Sequence, residues 1–181
     1  MSLKLITPPA ALAVSLEAAR VSARLDGEEA DIELRQVIDQ HTGEAEHLTG
    51  RAFVEQTWRL TLDRFAGAIL LEHPPIMSVV HIKFYDTAGE QQTLDPQDYI
   101  LDAESEPGYV VLAPGRAWPA TQARVNAVEV EYTCGYGAGD AAVPAAIKGY
   151  ILGKVSEHFA PAGTPKSEFL HCLLDRAKVY A

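Results

Sequence analysis

The hydrophobic period changes twice along the chain, from helical to strand-like and back, and few architectures accommodate that order of elements. Over residues 28–48 apolar positions recur at steps of three and four: Ala30, Leu34, Val37, Ile38, His41, Ala45 and Leu48 share one face. Glu29, Glu33, Gln36, Gln40 and Glu44 lie opposite, and the early acids suit the positive end of a helix dipole. Thr49-Gly50 supplies a glycine stop. A shorter helix over 15–23 precedes it, capped by Ser15 and broken by Asp26-Gly27. From Thr57 the period is two, with Trp58, Leu60 and Leu62 on one face. Further short strands are predicted over 79–85, 99–101, 109–112 and 128–132, with Asp86-Thr87-Ala88-Gly89 as a turn. The helical period returns at Val143-Pro144, where Ile147, Ile151 and Val155 form a stripe to which Tyr150 and His158 add. A last helix over about 167–179 carries Leu170, Leu173, Leu174 and Ala177.

This pattern predicts an α+β fold. Two N-terminal and two C-terminal helices make a helical core, with a small antiparallel β-sandwich or barrel-like region inserted between them. The expected division is 1–52 helical, 53–140 β, and 141–181 helical and packed against 1–52. A chain of 181 residues with 48% hydrophobic content can bury one good core or two small ones, and is too apolar for a disordered chain. No apolar run approaches the ~20 residues that span a bilayer, and Met1-Ser2-Leu3-Lys4-Leu5-Ile6-Thr7-Pro8-Pro9 does not read as a signal peptide. Net charge is −10, with 4 Lys/Arg against 9 Asp/Glu in residues 1–50, 6 against 13 in 51–140, and 5 against 3 in 141–181. Nucleic-acid affinity rests on clustered Lys and Arg, so tight or sequence-specific DNA binding is not expected. Cys134 and Cys172 have neither metal-type spacing nor a disulfide framework, and are expected as reduced thiols.

Motifs that carry chemistry are sparse. Cys134-Gly135-Tyr136-Gly137-Ala138-Gly139-Asp140 joins a strand to a helix, where phosphate loops also lie, but Asp140 stands where the dinucleotide pattern wants Gly. A tight turn is the expected role. Glu44-Ala45-Glu46-His47 and Glu168-Phe169-Leu170-His171 are both Glu-x-x-His, the motif of carboxylate di-iron bundles, yet no four-helix bundle is available to converge them. His41 reads as a packed, hydrogen-bonded residue, and His73, His81 and His158 have no partner at a recognisable spacing. Asp102, Glu104 and Glu106 read as a solvated charge run. Trp58 is expected in the core; Trp118, within Pro114-Gly115-Arg116-Ala117-Trp118-Pro119, is a loop anchor or a contact residue. No catalytic residue, cofactor or metal ligand is assigned.

The order and spacing of several short segments resemble the head–tail connector (head-completion adaptor) proteins of long-tailed phages and prophages. The resemblance begins at Ile6-Thr7-Pro8-Pro9 and Val14-Ser15-Leu16-Glu17-Ala18, and strengthens at Thr49-Gly50-Arg51-Ala52, Gln56-Thr57-Trp58 and Leu60-Thr61-Leu62-Asp63-Arg64-Phe65. It continues through Pro74-Pro75, Tyr85-Asp86, Pro107-Gly108 and Trp118-Pro119 to Gly135-Tyr136-Gly137 and Val143-Pro144-Ala145-Ala146-Ile147. It is weaker toward the C-terminus, and His41 and His47 stand where small or apolar residues are expected. The resemblance implies a non-enzymatic structural protein of the virion neck, assembled in the host bacterial cytoplasm. Its partners would be copies of itself, in a ring of roughly a dozen subunits, the capsid portal, and tail-side neck proteins. DNA would pass through without sequence-specific binding, and no membrane is involved. An acidic wall suits such passage. Leu170, Leu173, Leu174 and Tyr180, with Trp118, are the expected contact residues. Two other readings stay open: a β-region module that holds a sugar or peptide, and a metal-dependent enzyme using the Glu-x-x-His pairs.

Overall fold

Ser15 starts the first helix by accepting the Ala18 N–H on its hydroxyl at 3.2 Å, and Arg24 ends it in the left-handed conformation. The computed structural model, which describes residues 1–179, carries this α1 (Leu16–Ala23) into α2 (Asp31–Thr49) and, later, α3 (Ala145–His158). The Arg20 guanidinium donates to the Asp31 carboxylate, pinning the first turn of α2 beside α1. That pairing places the start of α2 three residues later than the sequence suggests. Gly50 closes α2 at φ 71°, its N–H donating to the Glu46 carbonyl at 2.8 Å.

Pro9–Glu55 and the chain from Tyr136 onward form one compact unit, with α3 packed on both α1 and α2. Leu34, Val37, Ile38 and Ala45 meet Ile147, Tyr150, Ile151 and Val155, with Phe53 and Val54 filling the space beyond. Leu48 turns outward and Thr49 is buried instead, its hydroxyl satisfied by the Ala45 carbonyl at 2.8 Å. The expected C-terminal α-helix is corrected to a 3₁₀ helix over Leu170–Ala177. Tertiary ties override local preference there: Arg51 Nε donates to the Ala177 carbonyl, and the Val179 N–H donates to the Thr49 carbonyl. The segment sits on two glycines of α3. A Cβ at Gly153 would lie 2.5 Å from Leu170 Cδ2, and one at Gly149 would lie 3.6 Å from Leu173 Cδ1. Gly153→Ile is therefore expected to unseat this segment, read as faster tryptic cleavage at Arg176 and Lys178.

Met1–Pro8 and Gln56–Gly135 form the second compact unit. Its five-stranded antiparallel sheet runs β1-β2-β8-β4-β5, from β1 (Ser2–Thr7), β2 (Gln56–Leu62), β4 (Ile76–Tyr85), β5 (Gln91–Thr93) and β8 (Val128–Cys134). A three-stranded sheet runs β3-β7-β6, from β3 (Ala68–Leu71), β6 (Tyr99–Asp102) and β7 (Gly108–Leu112). The sheets do not close into a barrel, and the class is α+β as expected. Gly108 permits their close approach, because a Cβ there would meet Ile76 Cγ1 at 2.7 Å. Leu60, Ile69, Leu71, Ile82, Val110, Val130 and Tyr132 are the core, and Tyr132 donates its buried hydroxyl to the Glu72 carbonyl at 3.0 Å. Three strands escape the period-two pattern: β1, β3 and β5. The lead before α1 pairs antiparallel with β2 from Ser2↔Thr61 to Thr7↔Thr57.

Candidate assembly surface

β4 is the most irregular strand of the five-stranded sheet. Its register with β8 slips twice, between Ile76 and Ser78 and again between Val79 and His81. The extra residues of these two bulges are Met77 and Val80, and both project apolar side chains into solvent, at 42% and 52% exposure. On the side away from β8, β5 pairs only with Lys83, Phe84 and Tyr85. The stretch from Ile76 to His81 therefore presents an unpaired strand edge among the described residues. Such an edge is a template for pairing with another chain, unless covered. β1 forms the opposite edge of the same sheet.

In the helical unit the expected contact residues divide. Leu174 is 1% exposed and belongs to the core, and Leu170 packs half-buried against that core. Leu173 is 39% exposed and Phe169, beside it, is 78% exposed. Tyr180 lies outside the described residues. Trp118 stacks on Phe65 with ring planes 2° apart and centroids 4.7 Å apart, while its indole N–H is buried without a hydrogen-bond partner. Trp58, expected in the core, is half-buried against His73 and donates from Nε1 to Gln56 Oε1 at 3.2 Å.

The polar motifs resolve into local structural roles. Glu44 pairs with His41 at 2.8 Å, and His171 tilts against the Tyr150 ring at a centroid distance of 5.5 Å. Among the described residues the His, Cys, Asp and Glu ligand atoms that converge are those of His81, Glu129 and Glu131, not those of either Glu-x-x-His pair. The alternation of β8 turns both glutamates to one face, and the second bulge of β4 brings His81 to 3.0 Å from Glu129 Oε1. Sequence spacing could not show this, since it depends on cross-strand register. Arg59, the β2 partner of Glu131, already holds both carboxylates, at 3.4 Å from Glu129 and 2.9 Å from Glu131. The glycine-rich segment is a turn: Gly135 and Gly137 adopt φ of 121° and 156°, and the Gly137 carbonyl accepts the Glu55 N–H. Asp102 accepts the N–H groups of Glu104 and Ser105 and the Ser105 hydroxyl, which folds its loop and holds its carboxyl below the usual range.

Burial pushes the Glu44 carboxyl up, but hydrogen bonding from His41 and Tyr150 and the charge of Lys154 outweigh it, leaving a net downward shift. A lowered folded-state value means that ionised Glu44 stabilises the fold at neutral pH and that this stabilisation fades as acid protonates it. Glu44→Gln is expected to lower stability at pH 7 and to leave a smaller loss between pH 5 and pH 3, read from melting temperatures across that range.

No protein-family model matches the chain, and no curated protein matches it. Solved structures do. Over 100% of its length the chain is similar to a chain of the virion of the native gene transfer agent (GTA) particle, with a TM-score of 0.81, 20% identity and 97% of that chain covered. It is equally similar to a chain in the neck of the empty GTA particle computed with C6 symmetry, with a TM-score of 0.82, 20% identity and the same coverage. A chain in the neck of the native GTA particle computed with C12 symmetry gives a TM-score of 0.73 at 21% identity, again over 100% and 97% of the two chains. The fold is thus shared, end to end, with chains of a virion neck.

Proposed function

We propose that this chain is a structural protein of a virion neck, a head–tail connector that forms a ring beneath the capsid portal and joins it to tail-side neck proteins. One observation carries the reading: both units of the fold, in their interleaved order, match neck chains of a particle across the whole length. The C6 and C12 symmetries of those necks favour a ring of about a dozen copies for this chain too. A ring needs one face of each subunit to meet a different face of the next. The edge of β4, with Met77 and Val80, supplies one such face by strand pairing, and Leu173 with Phe169 supplies an apolar contact toward a neighbour or the portal. In this arrangement Leu170 and Leu174 hold the contact segment on α3, and the Trp118 stack fixes a loop of the β unit. The acidic charge of −10 lets DNA slide past with little phosphate affinity.

Removing the gene from its phage or prophage is expected to leave DNA-filled heads without attached tails, and the purified chain added to portal rings is expected to appear as an extra ring density in electron micrographs. Particles with complete necks in the absence of this chain would refute the reading.

A further inference from the structure

A polar cleft of about 180 Å³ opens between α2 and α3, lined by Gln40, His41, Lys154, Glu157, His158 and Lys166. Four of these six carry or can carry positive charge, in a chain whose formal net charge is −10. We infer that this cleft is a binding site for a phosphate group. The inference is separate from the neck reading and needs no ring.

The donors are arranged for a ligand. His41 is tied through Nδ1 to Glu44 at 2.8 Å, and His158 through Nε2 to Glu33 at 3.1 Å, so each imidazole keeps its second nitrogen for another partner. Glu157, the single carboxylate of the lining, is already engaged: its Oε1 accepts the Ser167 N–H at 2.6 Å, and Lys154 lies 3.7 Å from its Oε2. Lys166 has no ion-pair partner among the described residues.

The chemistry of the set favours phosphate over a planar carboxylate. Carboxylates are matched best by the flat fork of arginine, and the lining contains none. Lysine ammonium groups act as point charges, suited to the several oxygens of a tetrahedral phosphate. Free phosphate and the backbone of DNA present the same group.

The test titrates inorganic phosphate into the full-length protein and follows backbone amide shifts. Saturable shifts are expected in the last turns of α3 and around Lys166 and Ser167, and Lys154→Gln with Lys166→Gln should weaken the affinity about tenfold or more at unchanged melting temperature. If the double variant is destabilised, Lys166→Gln alone, in the loop, serves with the same expectation of weakened binding. A second arm adds a short DNA duplex: displacement of phosphate by wild-type-dependent duplex binding identifies a nucleic-acid backbone as the source, and phosphate binding untouched by duplex identifies free phosphate. Shifts that grow without saturation, or an affinity indifferent to both lysines, would overturn the site.

Discussion

Leu174→Ala is expected to lower the melting temperature of the helical unit, whereas Leu173→Ala should leave it nearly unchanged. The two side chains are adjacent in sequence and were expected in the same contact role, but they face opposite environments. Leu174 is enclosed in the core that α1, α2 and α3 share, and truncating it leaves a cavity that the surrounding helices can close only in part. A buried Leu→Ala change costs about 2–5 kcal/mol, which in a chain of this size is a fall of roughly 5–20 °C. Leu173 is partly open to solvent and loses little when shortened. Differential scanning calorimetry of both variants reads the contrast directly. Leu173→Asp then isolates the proposed contact: it should leave the melting profile within about 0.5 kcal/mol of the parent while weakening attachment to a portal ring.

Met77→Asp with Val80→Asp is expected to abolish assembly while the isolated chain folds normally. Both residues are the extra members of bulges, so neither side chain contributes to the core of the sheet, and a charge at either is solvated in the monomer. Against a neighbouring subunit the same charges would be buried without partners, at several kcal/mol each, and repeated at every interface of a ring. Electron microscopy after mixing with portal rings, alongside circular dichroism of the variant alone, separates loss of contact from loss of fold. Rings that form normally from the double variant would exclude the β4 edge as a contact.

Much of the architecture was legible because the periodicities are strong where cores are thick. The stripe Leu34, Val37, Ile38, Ala45 and the stripe Ile147, Ile151, Val155 both turn inward as their spacing demands. The acids of β8 face outward because alternation leaves them no other side. What escaped notice has a common cause. β1 is a strand only because β2 lies beside it, and β3 and β5 are four and three residues long, too short to display a period. The C-terminal segment follows its seat on Gly149 and Gly153, not its own helical spacing. The bulges of β4, and with them the position of His81, arise from cross-strand register, which no single segment encodes. The environments of the expected contact residues were harder still to read, since Leu173 and Leu174 differ in exposure although both suit an apolar helix face.

The helical unit is assembled from two stretches of chain separated by the whole of the larger sheet's later strands. On a ribosome, α1 and α2 therefore emerge with the apolar side of Leu34 and Ile38 uncovered, and about ninety-five residues follow Thr49 before α3 begins at Ala145 to cover it. The nascent β unit can close its own core first, after which α3 delivers the missing wall. Chaperone contact with the growing polypeptide should accordingly concentrate on that early helical pair and end once α3 has left the exit tunnel.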